Sequence, residues 1–498
     1  MKFLEKILSL CLYLLAFLLP LQTRWIVRPG SLNGGYFEYG TISVYGTDVL
    51  LVLVICSYLF YLRQKHKTQN TNPKQNTARL PARQEYKSQT NKLYLLIIGL
   101  NIISLISIFF AANRLVSVQA YVRLTLGMSL FFIVAVAAYD RLKLIYAFLA
   151  GAAIQALLGI WQFLTQTTFA SKWLGLAAHP SGAGGTSVIE SFGGGRWLRA
   201  YGGLDHPNML GGLMVVAILV GLFLLIRKGE QKISKTQDTR DNDQTNHNFQ
   251  ITNRLYSFVN WKLDIENCLL LVSCILFLTA LFFTFSRGAW LGLIVGLIVI
   301  LAINLGIKNH NGLRTLLFLG FASVALASVL FFAYQDLIIT RISGNSRLEI
   351  KSNQERTASY RDAAVIIKKN WLVGVGIGGY TPALAKTYPN QPSWFYQPTH
   401  DIFLLVLAEI GVIGLILFVA ILGYALIFNF QFSRLPSASP KANGGQAIFN
   451  NFSIFNLPIL FTLIILMLPD HYLWSLHFGV LLFWFLLGLA AKNQAEPG

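Results

Sequence analysis

The residues best suited to chemistry in this sequence are one histidine and a few arginines that lie far apart along the chain. His400 stands in the run Pro-Thr-His-Asp, immediately before a long apolar segment, residues 402–430. An imidazole titrates near neutral pH, so a histidine where water meets an apolar segment could act as a general base. On a helix, Gly411 and Gly414 would share the face of His400 and let a neighbouring helix pack closely. The alternative is a histidine that only caps the helix at the interface.

Two arginines occupy places where a charge is costly. Arg287 lies in a tight connection between two apolar segments, and Arg123 lies inside another apolar segment. Ionisable groups at bilayer depth cost several kcal/mol unless they are paired, so each is a candidate functional residue. The alternative for either is an arginine whose stem lies in the membrane while its charge reaches the interface. Several guanidiniums on one face without matching carboxylates would favour an anionic ligand, and the guanidinium fork fits phosphate oxygens.

The composition indicates the class of protein that carries these residues. Hydrophobic residues make up 54% of the 498 residues, and charged residues make up 12%. This balance excludes an ordinary soluble protein, and repeated apolar runs of about 18 residues or more predict membrane-spanning helices. The net charge of +19 lies mostly between these runs, so it indicates membrane topology rather than nucleic-acid binding. The four cysteines lie in apolar segments, which predicts neither a disulfide framework nor a zinc site.

We predict an all-α polytopic membrane protein of about 12 transmembrane helices, with a partly helical large external loop. The predicted spans are residues 7–23, 44–62, 93–112, 118–138, 142–165, 209–226, 268–285, 289–307, 315–334, 402–430, 452–468 and 473–491. The loop of residues 63–92 carries eight Lys and Arg against one Glu. The positive-inside rule therefore places this loop and both termini in the cytoplasm. This loop and residues 227–266 are polar and of low complexity, so we expect both to be disordered.

The spans divide the chain into five segments. They are residues 1–165, N-terminal transmembrane helices; 166–208, a glycine-rich external loop; 209–334, central transmembrane helices; 335–400, the large external loop; and 401–498, C-terminal transmembrane helices. A helix is expected over residues 357–370 of the large loop. The glycine-rich run after that helix lacks the preceding strand of a nucleotide-binding unit, so it is not a nucleotide loop.

The two external loops hold the remaining candidates. Arg199 and His206 lie near the end of the first loop, and Arg361 lies in the second. His206 could be a second acid or base; the alternative is a turn residue that hydrogen-bonds locally before a proline. Asn208 is expected to cap the next helix rather than touch a substrate. His471, beside an aspartate on a short external turn, is expected to be interfacial.

These motifs together resemble the O-antigen ligase and O-antigen polymerase superfamily of bacterial lipid-linked glycan transferases. His400 and Asp401, followed after nine residues by Gly-Val-Ile-Gly, resemble its histidine motif, and Arg287 in its short turn is also similar. Arg199 in Arg-Ala-Tyr-Gly and Arg361 before Asn-Trp-Leu-Val-Gly-Val-Gly-Ile-Gly resemble its other external motifs. The ligase-like core covers residues 195–430. The family usually has Asn, Ser or Gln where this chain has Asp401, and a carboxylate close to the imidazole would raise its pKa.

The resemblance implies an inverting glycosyltransferase of the bacterial inner (cytoplasmic) membrane, acting at its outer face. It would move a glycan from an undecaprenyl-diphosphate carrier to an acceptor hydroxyl, either on a glycan or on a lipid A-core, among membrane lipids and without nucleic acid. The residues it implies are His400 as catalytic base, with Arg287, Arg199, Arg361 and Arg123 on the diphosphate, and His206 and Asp401 as secondary candidates. We expect no metal and no cofactor, because the sequence shows no external carboxylate cluster and arginines can stabilise the leaving diphosphate.

Two other functions fit part of this pattern. A polymerase of the same superfamily would extend a repeat-unit chain, whereas a ligase transfers the chain to a surface acceptor, and the topology favours a ligase. A non-enzymatic flippase or exporter of the same lipid-linked glycan would also need external arginines. Such a transporter is expected to carry paired ionisable residues deep in several spans and internal repeats, and neither is evident.

Overall fold

The computed structural model describes residues 2–70, 81–241, 265–307, 309–433 and 452–492, and these residues form a helical bundle with small two-stranded sheets. The helices are α1 (Lys2–Leu18), α2 (Gly46–Asn70), α3 (Pro81–Ser107), α4 (Arg114–Val136), α5 (Arg141–Thr165), α6 (Pro207–Asp241), α7 (Ile265–Thr284), α8 (Arg287–Gly306), α9 (His310–Ala333), α10 (Gln335–Ser343), α11 (Arg347–Asn370), α12 (Tyr380–Thr387), α13 (Ile402–Ser433), α14 (Phe452–Met467), α15 (Tyr472–Ser475) and α16 (His477–Ala491). The strands are β1 (Arg24–Arg28), β2 (Ser31–Leu32), β3 (Gly35–Tyr36), β4 (Ile42–Tyr45), β5 (Val188–Glu190) and β6 (Arg196–Leu198), paired antiparallel as β1 with β4, β2 with β3 and β5 with β6.

The all-α polytopic membrane fold is confirmed. Within the described residues, nine helices carry an apolar stretch long enough to cross a bilayer. Every predicted span coincides with a helix, but α1, α14 and α16 have only 17, 16 and 15 residues. The count of twelve spans is therefore not confirmed. The last predicted span is also divided, because the backbone of Leu476 between α15 and α16 is extended, with ψ at 144°.

The two segments expected to be disordered are helical at their ends. Helix α2 continues to Asn70 and α3 begins at Pro81, while α6 continues to Asp241 and α7 begins at Ile265. Extending a formed helix costs far less than nucleating one, so a polar sequence rich in Gln and Lys can continue a transmembrane helix into water. The rest of both segments lies outside the described residues.

Helix α6 is the centre of the bundle. Its apolar part, Pro207–Lys228, is buried on all sides, whereas the apolar residues of α9 are half-buried or exposed. Helices α5, α7, α8, α9 and α14 pack against α6. A helix buried on every face must be apolar all round, and only its end can carry polar side chains. The first turn of α6 therefore places Asn208 near the middle of one end of the bundle.

Helix α13 is broken at Gly411, whose backbone has φ 71° and ψ −176°. Gly411 therefore does not form the close contact with a neighbouring helix that the glycine spacing predicts. The loop after α11 packs into the break instead, and a Cβ on Gly411 would lie 2.1 Å from the Leu372 carbonyl oxygen. The first part of α13 is thus a short helix that begins beside His400.

The loop that enters the break satisfies the backbone groups that the break leaves without partners. The Val412 N–H donates to the Trp371 carbonyl, and the Val375 N–H donates to the Ala408 carbonyl, both with N···O of 2.9 Å. Unpaired backbone groups are costly in a membrane, so an irregular backbone at this depth has to be paired by protein. The glycine-rich run of residues 371–380 is therefore a packing element, in line with its rejection as a nucleotide loop.

Helix α11 is longer than the expected helix of residues 357–370. It begins at Arg347, and the Ser346 hydroxyl accepts a hydrogen bond from the Glu349 N–H (Oγ···N 3.4 Å), as an N-cap residue does. Arg347 also pairs with Glu190 of β5 at 3.1 Å. The large loop is consequently attached to the glycine-rich loop of residues 166–208.

Replacing Gly411 should test the break in α13. We expect Gly411→Ala to lower the free energy of unfolding by about 1–3 kcal/mol or more. Alanine is strained at positive φ, and its Cβ would also clash with the Leu372 carbonyl. The measurement is thermal unfolding of the detergent-solubilised protein, with Gly423→Ala as the control. Gly423 lies in the same helix with open space around it, so its replacement should be neutral or slightly stabilising. Equal melting temperatures for the two variants would contradict the break.

Candidate functional site

His400 ends the loop before α13, and the next residue caps that helix. The Asp401 carboxylate accepts a hydrogen bond from the Leu404 N–H (Oδ1···N 2.8 Å), which is the geometry of an N-cap. Asp, Asn and Ser are all good caps, which explains how this chain can have an aspartate where the resembled family usually has Asn, Ser or Gln. Asp401 therefore serves the helix. The carboxylate whose charge acts most strongly on His400 is Asp470.

Asp470 and His471 lie buried in the short connection between α14 and α15. The Asp470 carboxylate accepts hydrogen bonds from the His471 N–H (2.8 Å) and from the Asn208 side-chain amide (2.7 Å). The metal-ligating side-chain atoms of His400, Asp470 and His471 all lie within 4.8 Å of one another. The two imidazole centroids are 5.5 Å apart. This turn is thus a buried part of the histidine site.

The electrostatics of this cluster suit a general base. Burial lowers the pKa of His400, and the charge of Asp470 offsets this lowering only in part. Burial also lowers the pKa of His471, to about 4. Burial alone would raise the pKa of Asp470, but its attraction to the neighbouring imidazoles and its hydrogen bond from Asn208 outweigh that effect and lower the pKa to about 2. A neutral imidazole beside an ionised carboxylate can take a proton, because the carboxylate stabilises the imidazolium that forms.

Arg199 is buried behind this cluster, and its three nitrogens each donate a hydrogen bond. Nε donates to the Thr284 carbonyl (2.7 Å), one terminal nitrogen to the Ser187 hydroxyl (2.6 Å), and the other to the Asn208 amide oxygen (2.9 Å). Asn208 therefore connects Arg199 to Asp470, which differs from the expected role as a helix cap. Arg199 thus links Ser187, Thr284 and Asn208 through hydrogen bonds and stabilises the site.

The turn between α7 and α8 is strained and is held by two arginines. Phe285 is fully buried with φ at 47°, a left-handed conformation that costs a non-glycine residue about 1–3 kcal/mol. The carbonyl of Thr284 accepts from Arg199, and the carbonyl of Phe285 accepts from Nε of Arg341 (3.0 Å). Carbonyls at a helix C-terminus carry partial negative charge, so guanidiniums stabilise them well. Together they fix the position from which Arg287 starts α8.

A small, partly open pocket lies beside this turn. Its polar lining consists of Arg287, Arg341, Arg356, Asn208, Ser286, Asp470 and Tyr472. One buried carboxylate, Glu349, forms an ion pair with Arg341 and lies 3.3 Å from a terminal nitrogen of Arg287. Arg356 is close enough for its charge to lower the pKa of His400. The pocket lining itself carries three guanidiniums and one carboxylate, so it is positive beside the imidazole and suits an anionic ligand.

The other predicted residues do not line this pocket. Arg361 is exposed on α11, about 140° around the helix from Arg356. Arg123 donates to the Ser475 carbonyl (3.0 Å), and the Ser475 hydroxyl lies 2.6 Å from Nδ1 of His471, so Arg123 supports the turn that carries His471. Nδ1 of His206 accepts a hydrogen bond from the Asn208 N–H (3.1 Å), the local contact expected of a turn residue.

The expectation of no metal rests on the lack of an external carboxylate cluster, and the structure places a single carboxylate close to two imidazoles. Two imidazoles and a carboxylate at this spacing are ligand types that divalent zinc accepts. Several of their lone pairs are already engaged in hydrogen bonds: both oxygens of Asp470 accept from amides, and Nδ1 of His471 contacts Ser475. A bound cation would have to replace part of this network.

The comparison with known families decides the assignment. Residues 272–419 match the family model described as O-antigen ligase. The match covers less than a third of the chain and supports the O-antigen ligase superfamily. The match lies inside the predicted core of residues 195–430, confirms the resemblance to the superfamily, and supports a function of the O-antigen ligase or polymerase type in a multi-pass membrane protein. Comparison of the chain with curated proteins gives no match.

The segment that matches the O-antigen ligase family contains only part of the site. Arg287, Arg341, Arg356 and His400 lie within it, whereas Arg199, Asn208, Asp470 and His471 come from outside. Sequence reasoning missed the roles of Asp470, Arg341 and Arg356. Asp470 and His471 are adjacent titratable residues on a short turn, and this pair could have been recognised in the sequence as a candidate site. The two arginines looked like the other charged residues of the large loop, and only the fold separates them from Arg361.

Replacing Arg199 should show that it is a structural member of the site. We expect Arg199→Leu to lower the melting temperature strongly, because each buried acceptor left without its donor costs about 1–3 kcal/mol. The measurement is thermal unfolding in detergent, with Arg361→Leu as a control that removes the same charge from an exposed position. The control should stay within about 0.5 kcal/mol of the natural protein. If both variants had the same melting temperature as the natural protein, Arg199 would not stabilise the turn.

Proposed function

We propose that this protein is an O-antigen ligase-type glycosyltransferase that moves a glycan from an undecaprenyl-diphosphate carrier to an acceptor hydroxyl at the outer face of the bacterial inner membrane. One observation carries the proposal: the His400 imidazole, backed by Asp470, lies next to a pocket lined by the guanidiniums of Arg287, Arg341 and Arg356. Glycosyl transfer from a diphosphate needs a base for the acceptor and positive charge for the leaving group, and these groups supply both.

The proposed reaction is a single displacement. The acceptor oxygen attacks the anomeric carbon while its proton passes to a ring nitrogen of His400. The bond between the anomeric carbon and the diphosphate oxygen breaks, and its electron pair stays on the diphosphate. Asp470 stabilises the imidazolium, and Arg287 and Arg356 stabilise the new charge on the diphosphate. Because no protein nucleophile takes part, the configuration at the anomeric carbon is inverted, and the arginines serve in place of a metal.

The proposed outer location follows from the position of the positive loop. The start of α2 lies at the site end of the bundle, since Tyr39 stacks edge-on against His471 at 6.1 Å and Asp48 lies 3.5 Å from His477. Helix α2 then runs away from the site towards the loop that carries eight Lys and Arg. If that loop is cytoplasmic, as the positive-inside rule predicts, the site faces the other side of the membrane.

A transporter of lipid-linked glycan remains the contrasting hypothesis, and one close contact between ionisable residues of the described spans bears on it. Nδ1 of His477 lies 3.5 Å from Oδ1 of Asp48, and both residues occupy the first turns of their helices, α16 and α2, at the site end. Transporters place such pairs near the bilayer midplane, where they mark a pathway. The pair therefore favours a site at one face of the membrane.

Removal of the imidazole should separate transferase from transporter. We expect His400→Ala to lower turnover about 10²–10⁴-fold with little loss of carrier binding, because a general base contributes mainly to the transition state. The assay uses purified protein, carrier-linked glycan and candidate acceptors, with products read by mass. His310→Ala, at an exposed position at the start of α9, is the control and should leave turnover unchanged.

Four outcomes would contradict parts of this proposal. A His400→Ala protein that still transferred glycan would remove His400 from the mechanism. Transport of the carrier across a bilayer without any product would favour a flippase. Activity that vanished with EDTA and returned with manganese would show that the cluster around Asp470 holds a catalytic metal. Extension of a carrier-linked glycan in preference to transfer to lipid A-core would identify a polymerase.

The dependence of activity on pH should reveal the effect of the Asp470 charge on His400. Burial lowers the pKa of His400, so the base stays neutral and kcat/KM should stay level from pH 7 down to the lowered pKa, then fall as the imidazole is protonated. The Asp470 charge raises the pKa of His400. In Asp470→Asn we therefore expect the acidic limb to move to lower pH while the plateau falls at least about tenfold, because the imidazolium loses its counter-charge. Profiles of kcat/KM from about pH 4 to about pH 8 measure this. A limb that moved to higher pH would show that Asp470 does not act on His400.

A further inference from the structure

Glu349 is placed in contact with two of the three arginines that line the pocket. It is the third residue of α11, and only 3% of its surface is exposed. One carboxylate oxygen pairs with Arg341, and the other lies 3.3 Å from a terminal nitrogen of Arg287. A buried carboxylate in this place neutralises part of the charge that the proposed diphosphate ligand needs.

The two arginines are held very differently. Arg341 is 6% exposed, pairs with Glu349 and also donates to the Phe285 carbonyl, so it is fixed. The Arg287 side chain is 34% exposed, and its contacts are long: 3.3 Å to Glu349, and 3.5 Å both to the Arg341 carbonyl and to the Asn353 amide oxygen. Distances of this size lie at the edge of a useful hydrogen bond. These long contacts would let Arg287 exchange Glu349 for a stronger anion.

We propose that Glu349 is a built-in anion that competes with the diphosphate for Arg287 and so sets how tightly the diphosphate product is held. The proposal rests on the proposed function and names a further specificity-determining residue of the same site. When a lipid diphosphate binds, Arg287 turns from Glu349 to the phosphate oxygens, while Arg341 stays paired. When the product leaves, Arg287 returns to Glu349.

The need for such a competitor follows from the charges of substrate and product. In the substrate both phosphates are diesters, so the diphosphate carries two negative charges. After transfer one phosphate loses its sugar, and the product carries up to three. Three uncompensated guanidiniums would bind the product more tightly than the substrate, and its release would limit turnover. A carboxylate beside the ligand repels the more highly charged product more strongly than the substrate, so it weakens product binding selectively.

The experiment compares diphosphate binding by the full-length protein in detergent, with undecaprenyl diphosphate and inorganic pyrophosphate as probes. We expect Glu349→Gln to bind undecaprenyl diphosphate about tenfold more tightly, because one opposing charge near the ligand is removed. Its kcat should fall, and added undecaprenyl diphosphate should inhibit it more strongly. The matched control is Glu190→Gln, which removes the same charge from an ion pair with Arg347 outside the pocket. The control should bind both probes like the natural protein.

A second variant covers the case in which Glu349→Gln does not fold, since that change leaves Arg341 buried without its counter-charge. Glu349→Asp keeps the charge, but its shorter side chain cannot bridge both guanidiniums, so Arg287 is released. We therefore expect its affinity for undecaprenyl diphosphate to lie between those of the natural protein and Glu349→Gln. In the double variant Glu349→Gln with Arg287→Gln, the gain in affinity should disappear, because the two residues act on each other.

The outcomes distinguish this inference from the proposed function. If the natural protein binds undecaprenyl diphosphate and transfers glycan, but neither Glu349 variant binds the probe more tightly, Glu349 only neutralises Arg341 and the inference is wrong. If the natural protein neither binds the probe nor transfers glycan, the proposed function fails and the inference fails with it. Tighter binding in the Glu349 variants but not in Glu190→Gln supports both.

Discussion

The site depends on one turn, in which two buried guanidiniums hold the last carbonyl of α7 and the carbonyl of the residue that follows it. Arg199 and Arg341 donate to the carbonyls of Thr284 and Phe285, and the strained backbone of Phe285 persists because both acceptors are paired. Each arginine uses its remaining nitrogens to reach a different partner: Asn208 for Arg199 and Glu349 for Arg341. The same turn therefore places the amide that touches Asp470, the carboxylate that touches Arg287, and Arg287 itself. Removing either guanidinium would disturb both halves of the site.

In this arrangement the segment that matches the O-antigen ligase family does not contain the whole proposed site. His400 and Arg287 lie in this segment, but the carboxylate that acts on His400 comes from the connection after α14. The amide that holds this carboxylate comes from the start of α6, before the segment. Helix α6 is buried by helices on all sides, so its first turn reaches the middle of the site only once the whole bundle is assembled. The flanking helices are thus part of the proposed enzyme and not only its anchor.

The sequence allowed the spans, His400 and Arg287 to be predicted for reasons that act locally. Apolar runs reveal membrane helices, and a charge between two such runs is costly enough to draw attention. Asp470 and Arg356 could not be chosen in this way, because their importance arises only when segments far apart in the chain meet. Gly411 shows the same limit from another side. Glycine serves close helix packing and a left-handed backbone equally well, and the loop that decides between them ends about 30 residues earlier in the chain.

The two halves of the site differ in rigidity, and the difference matches the proposed chemistry. His400 precedes a short helix that is capped by Asp401 and ended by the break at Gly411. Near that break, the Glu409 carboxylate accepts a hydrogen bond of 2.9 Å from the indole N–H of Trp474. Trp474 lies three residues beyond His471. The elements that carry His400 and Asp470 are therefore joined, as proton transfer requires, because a base must be held at a fixed distance from its substrate. Arg287 has only long contacts and a partly exposed side chain. A diphosphate has to enter and leave at every turnover, so an anion-binding group that exchanges partners is better suited to it than a rigid one.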